Sequence, residues 1–159
     1  MMELTHILNW RRITPKITTS GQPSEAELAE LQAMGVGRIV NLGPHDNDGA
    51  LEDEPGTVAA LGMIYDYIPV DFEAPTDADF EAFRTVLDAH PDEMIHVHCI
   101  YNARVSAFFY RLAAAGGGLG ASKAASILDS IWRPGDDWAD FTGIEAAKGQ
   151  PNRYKGYEY

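Results

Sequence analysis

The chain has 159 residues, 45% of them hydrophobic, which is the size of one domain with enough apolar material to fill its core. Its 12 basic and 24 acidic residues leave a net charge of −12, a field that repels nucleic acid and anionic membranes, and no basic stripe offsets it. No apolar run approaches the ~18 residues of a membrane helix. The first residues carry neither a basic leader nor a signal-type apolar stretch, and a single cysteine precludes an internal disulfide, so a soluble, cytoplasmic protein is expected.

Along the chain, Ser24-Glu25-Ala26-Glu27 is a capping box that opens a helix through Leu28, Leu31 and Met34, ending at Gly35. Arg38 to Leu42 is a buried strand, Gly43 to Gly49 a loop, and Glu52 to Leu61 a helix interrupted early by Pro55-Gly56. Ile64 to Val70 is a strand. Thr76 caps a helix over Asp77 to Ala89, whose Phe80, Phe83, Val86 and Leu87 share a face. Met94 to Cys99 is the central strand, Arg104 to Ala115 a helix stopped by Gly116-Gly117-Gly118, and Ser122 to Trp132 another helix. Trp132 to Trp138 is a packed helix-to-helix corner, with Arg133 a second anion contact, and the tyrosine-rich end from Pro151 to Tyr159 is either partly disordered or packed on a partner. Strands alternating with helices predict an α/β fold: a single domain over residues 1–159, with a central, mainly parallel sheet flanked by helices.

The chemistry centres on Cys99, the only cysteine, which closes the run Met94-Ile95-His96-Val97-His98-Cys99. Alone it reads as a small buried hydrophobe. Its neighbours argue otherwise: His98 is an orienting donor, Arg104 a fixed cation, and Ser106 a hydroxyl to hydrogen-bond the sulfur. A strand–loop–helix turn aims backbone N–H groups and a helix N-terminus at an anion. Such surroundings lower a thiol pKa from ~8.5 to roughly 3.5–7.5 and favour the attacking thiolate. The loop, Ile100-Tyr101-Asn102-Ala103, has no glycine, and Asn102 is the residue best able to take the left-handed kink, or else caps the next helix.

Val97-His98-Cys99, a short loop, Arg104 and a helix resemble the cysteine-dependent protein phosphatases, most of all a bacterial group related to the dual-specificity enzymes. Ile17 to Ser24, Gly35 to Leu42 and Gly62 to Val70 resemble that group's N-terminal half in the same order, so the likeness runs over about residues 17–112. It implies a protein-tyrosine-phosphatase-like fold and hydrolysis of a phosphate monoester through a phosphocysteine. In that reading Cys99 is the nucleophile, Arg104 and the loop amides hold the oxyanions, and His98, Ile100, Tyr101, Asn102, Ala103 and Ser106 make up the substrate-binding set. Asp71, leaving a strand at the sheet edge of Cys99, matches the general acid. The residue before the cysteine, here His98, braces the loop in these enzymes.

The family signature spaces cysteine and arginine by five residues, whereas here four separate Cys99 from Arg104. The shortened spacing, with Asn in the loop, belongs to the bacterial subgroup. Rhodanese-type sulfurtransferases also use a loop of this length, to hold a persulfide, so sulfur transfer is an alternative, as is a non-catalytic phosphate-binding module. Glu73 is a weaker choice of acid, and Asp77 and Asp79 read as helix-start residues. His96 is expected to be a packed or hydrogen-bonded core residue facing the side of the strand opposite His98. His45, Asp46 and Asp48 lie in one loop with no second cluster at ligand spacing, so neither metal nor cofactor is expected. The partner is a phosphorylated protein or small-molecule phosphate, with depth of slot and oligomeric state left open.

Overall fold

The computed structural model describes residues 3–154. A five-stranded sheet runs in the order β1 (Arg11–Thr14), β2 (Ile17–Ser20), β5 (Ile95–His98), β3 (Arg38–Asn41), β4 (Ile64–Tyr67); β1 is antiparallel to β2 and the other pairs are parallel. The helices are α1 (Glu25–Met34), α2 (Glu54–Ala60), α3 (Asp77–Ala89), α4 (Ala103–Ala114), α5 (Ala121–Asp129) and α6 (Asp136–Thr142). A two-stranded ribbon pairs β6 (Trp132–Arg133) with β7 (Arg153–Tyr154). No helix among the described residues is long and apolar enough to cross a membrane.

Parallel strands must be covered on both faces, and alternation along each strand supplies both. Ile39 joins Leu28, Leu31 and Val58 of α1 and α2 with the N-terminal Leu4, Ile7 and Trp10. Its neighbour Val40 joins Val97, Phe83, Phe108 and Trp138 on the side of α3, α4 and α6. The α/β class, with its mainly parallel sheet and β5 at the centre, is as the sequence predicts.

Local signals explain the element boundaries. Ser24 and Glu27 form the reciprocal capping box of α1, and Gly35 ends it with φ 114°. Thr76 caps α3, and Asp79 returns the second bond. Pro55 does not interrupt α2; it lies in the first turn, where no backbone N–H is needed. Regular β4 ends at Tyr67, although Ile68 and Val70 still donate to Asn41 and Leu42. The helix expected to reach Trp132 stops at Asp129, because Trp132 pairs with Tyr154. Of the tyrosine-rich end, Arg153–Tyr154 form β7 and residues 155–159 lie outside the described ones.

One expectation is corrected outright. His96 and His98 share a face of β5, with ring centroids 6.4 Å apart, because residues two apart on a strand point the same way. His96 is a buried core histidine hydrogen-bonded to Thr18 Oγ1 at 2.8 Å and Ser20 Oγ at 2.7 Å. Ser20 spends its own proton on the Gly21 carbonyl, so His96 donates from Nε2 and accepts from Thr18 at Nδ1. Burial, with the nearby His98 charge, lowers its pKa well below the usual histidine range, consistent with a neutral ring.

Gly21 carries a close approach on which the site depends. Its N–H donates to the Leu8 carbonyl, while a Cβ there would stand 2.7 Å from the Ile100 carbonyl oxygen and 2.8 Å from Leu8 Cδ2. Gly21→Ala should therefore cost about 1–3 kcal/mol of stability, the range for overpacking. Gly37→Ala, whose new methyl meets nothing within 4 Å, should stay within about 0.5 kcal/mol of wild type. Urea unfolding of the two variants checks the contrast; equal midpoints would show that the Ile100 turn yields freely.

Candidate active site

Strand β5 ends at His98, and Cys99 follows at the carboxyl edge of the sheet, fully buried in the core shared with α3 and α4. The chain then turns through Ile100, Tyr101 and Asn102 into α4. Asn102 takes the left-handed conformation, φ 77° and ψ 9°, at the N-cap position. Its side chain makes no capping bond. Instead Asn102 Nδ2 donates to the Asn9 carbonyl at 2.9 Å and to Thr19 Oγ1 at 3.1 Å. Asn9, itself at φ 51°, returns a bond from its Nδ2 to the Tyr101 carbonyl at 2.8 Å. The Ile100 carbonyl accepts from the Gln22 N–H at 3.0 Å. The glycines absent from the loop stand beside it: a Cβ at Gly43 would lie 3.3 Å from the Cys99 carbonyl carbon and 3.2 Å from Ile100 Cδ1.

His98 lies behind this turn, fully buried, and works on the backbone. Its Nδ1 contacts the Cys99 carbonyl at 2.9 Å, and since a carbonyl only accepts, Nδ1 carries a proton. Its Nε2 lies 2.5 Å from Oε2 of Glu54, whose Oε1 accepts from Gln22 Nε2 at 2.7 Å. Burial pushes the Glu54 carboxyl up, but the hydrogen bond and charge of His98 and the Gln22 donor outweigh it and hold the pKa below the ordinary carboxylate value. The pair thus braces the Cys99 carbonyl from beneath, Nδ1 donating to it while Nε2 is held by Glu54.

Arg104 is in the first turn of α4 and 6% exposed. Its Nε donates to the Val70 carbonyl at 2.8 Å, Nη2 to Asn47 Oδ1 at 3.2 Å, and its Cζ sits 5.2 Å from the centre of the Phe72 ring. Among the described residues no carboxylate pairs with it. Arg38, equally buried, is paired with both Asp66 and Glu93.

Arg104 lines a cleft of about 520 Å³ together with Asn47, Phe72, Ile100, Tyr101, Ala103 and Tyr154. Of the residues singled out from sequence, Ile100, Tyr101, Ala103 and Arg104 meet here, whereas Cys99, His98, Asn102 and Ser106 are buried outside the cleft's lining. The Ser106 hydroxyl is not directed to the sulfur as expected. It donates to the Ala103 carbonyl at 3.1 Å, the bond back along its own helix that serine readily makes, and accepts from Trp132 Nε1 at 3.1 Å. Asp71 is exposed between Val70 and Phe72, two residues that touch Arg104, and its Oδ1 accepts from the Glu73 N–H at 2.9 Å. Asp77 pairs with Arg111, and Arg133 lines a separate cavity.

Three contributors were missed. Asn47 lies in the loop after β3, at the edge where open α/β sheets place their sites, so it was findable. Glu54 reads in sequence as an ordinary helix-start acid, and Tyr154 reads only as part of the tyrosine-rich end.

A cysteine at the end of a central parallel strand, a tight turn and a helix-borne arginine in a cleft together define the architecture of a cysteine-dependent phosphatase-like protein. Comparison with known structures agrees. The chain superposes on a candidate phosphatase (DUF442) from Shewanella putrefaciens CN-32 with TM-score 0.78 and 30% identity, covering 88% of this chain and 92% of that one. Pseudomonas aeruginosa TpbA, solved with phosphotyrosine, gives 0.61 at 18% identity, covering 77% of this chain and 72% of that one. The catalytic domain of Saccharomyces cerevisiae SIW14, a PP-IP phosphatase, gives 0.68 at 11% over 87% and 85%; these last two are likenesses of fold. The chain belongs to the protein-tyrosine-phosphatase-like superfamily. No family model matches it. Among curated proteins it is similar to beta-lactamase hydrolase-like proteins of Agrobacterium fabrum, 34% identical over 94 residues, and Xylella fastidiosa, 31% over 93. The match takes in 55% of this chain but only 21% of each of those longer proteins.

The buried pair gives a pH test. Because the folded Glu54 pKa lies below its ordinary 4.5, its contribution to stability is present above about 4.5 and is lost as pH falls through the folded value. Glu54→Gln should cost about 3–5 kcal/mol near pH 7, the cost of breaking a buried pair. That deficit should shrink as the pH is taken below 4.5. Urea unfolding across this range measures it, and a pH-independent difference would assign Glu54 a packing role only.

Proposed function

We propose that the chain hydrolyses a phosphate monoester through a phosphocysteine on Cys99. The observation that carries this reading is Arg104, a nearly buried cation that no carboxylate among the described residues pairs, held by neutral acceptors in a chain of net charge −12. A buried charge needs a partner, and an oxyanion in the cleft supplies one. The Cys99 thiolate attacks phosphorus, an S–P bond forms as the ester P–O bond breaks, and Asp71 gives its proton to the leaving oxygen. Water then attacks the phosphocysteine, returning its proton to Asp71 and releasing phosphate. The substrate is a phosphorylated protein or a small-molecule phosphate. The acidic surface favours a selected substrate over phosphorylated macromolecules at large.

A second reading, sulfur transfer through a Cys99 persulfide, is favoured by the four-residue loop and the sealed position of the sulfur, since a persulfide needs a smaller cradle than tetrahedral phosphate. The two separate in activity. With Asp71 as the acid, Asp71→Asn should slow hydrolysis of phenyl phosphate by about 10²–10⁴-fold, the span of general acid catalysis. Hydrolysis of 2,4-dinitrophenyl phosphate, whose leaving group needs no proton, should barely change, and Cys99→Ser should abolish both. Equal slowing of the two esters would reduce Asp71 to a loop-positioning role. Wild type that cleaves neither ester but transfers sulfur from thiosulfate to cyanide would establish the second reading.

A further inference from the structure

The β6–β7 ribbon presents two faces. Trp132 and Tyr154 are partners across it, as are Arg133 and Arg153, and cross-strand partners point to one side while neighbours along a strand point to opposite sides. The aromatic pair turns toward α4 and the Arg104 cleft, since Trp132 Nε1 donates to the Ser106 hydroxyl and Tyr154 lines the cleft. The arginine pair lines a second cavity, of about 390 Å³. Like charges opposite one another on a ladder destabilise it, so two guanidiniums at this place call for a counter-charge. Among the described residues Asp129 is the only carboxylate in the lining, and no ion pair joins it to Arg133. Arg153 Nη2 donates to a neutral acceptor, Gln150 Oε1, at 3.5 Å. Beyond these polar groups the wall is hydrocarbon, from Leu128, Pro134, Ile144, Pro151 and two alanines. The segment around Gln150 is fixed against the start of α6: the Gly135 N–H donates to Asn152 Oδ1 at 2.7 Å, and the Asp136 N–H to the Gln150 carbonyl at 2.9 Å. A Cβ at Gly135 would overlap the Gln150 and Pro151 carbonyls.

We propose that this second cavity is a binding site for a small carboxylate with an apolar body, its head held by Arg133 and Arg153. Two guanidiniums against one aspartate leave a single positive charge in the lining, which suits a monoanion better than a phosphate dianion. The planar fork of arginine matches a carboxylate with two parallel hydrogen bonds. The volume falls within the range of small-molecule sites, about 300–1,000 Å³, and a hydrocarbon body gains from the apolar wall in rough proportion to the area it covers.

The test is titration of the wild-type chain with hexanoate, acetate, hexanol and inorganic phosphate, followed in amide proton–nitrogen NMR spectra. Hexanoate should move the signals of Ala146, Ala147 and Gln150 saturably, with a Kd of about 1 mM or tighter, the strength expected of so small a ligand, and leave those of Ala103 and Arg104 in place. Acetate and hexanol should each bind at least about 10-fold more weakly, one lacking the body and the other the charge. Arg133→Gln, a change at an exposed side chain, should weaken hexanoate binding by about 5- to 10-fold, and Arg133→Lys should recover part of the loss. No saturable shift, shifts confined to the Arg104 cleft, phosphate binding as tight as hexanoate, or an Arg133→Gln variant of undiminished affinity each overturns the proposal.

Discussion

A backbone that turns from a buried strand into a buried helix within three residues needs a left-handed step, and in this chain the step falls on Asn102. An asparagine there costs less than most side chains but more than glycine, so the surroundings have to hold it. They do so with the amide of Asn9, itself left-handed, exchanged against that of Asn102, and with Gln22 on the Ile100 carbonyl. Gly21 and Gly43 leave room for the turn to pass. The positions of Cys99, of the α4 N-terminus and of Arg104 all follow from this one step.

Electrostatics complete the arrangement from two sides. Beneath the turn, the buried His98–Glu54 pair fixes the Cys99 carbonyl. Above it, Arg104 is left with neutral acceptors and a ring face. Arg38 shows what the same sheet does with an arginine used only for structure: two carboxylates close on it. The proposed oxyanion reading of the cleft rests on this difference between the two guanidiniums.

Local chemistry was legible in the sequence and distant pairing was not. A capping box gave the start of α1 and an N-cap threonine that of α3, an apolar β-branched run gave β5, and the glycine-free loop pointed to Asn102 as the kink. Strands β1, β6 and β7 depend on partners elsewhere in the chain, and two-residue strands carry no period to detect. Glu54 acquires meaning only when α2 covers the histidine face of β5, a face misassigned from sequence because alternate residues were placed on opposite sides. Ser106 falls at the right distance from Cys99 along the chain, yet a helix offers its hydroxyl a nearer acceptor.

The clamp on the turn joins residues 93 apart in sequence through Asn102 and Asn9, and 83 apart through Asn102 and Thr19. Contacts of such long range close late in folding and are open to loss whenever the segment that holds them detaches, without the rest of the sheet unravelling. The Arg104 cleft is thereby tied to the integrity of the first strand pair. Loss of these bonds would release the left-handed step at Asn102, so the placement of Cys99 and Arg104 rests on segments distant in the chain.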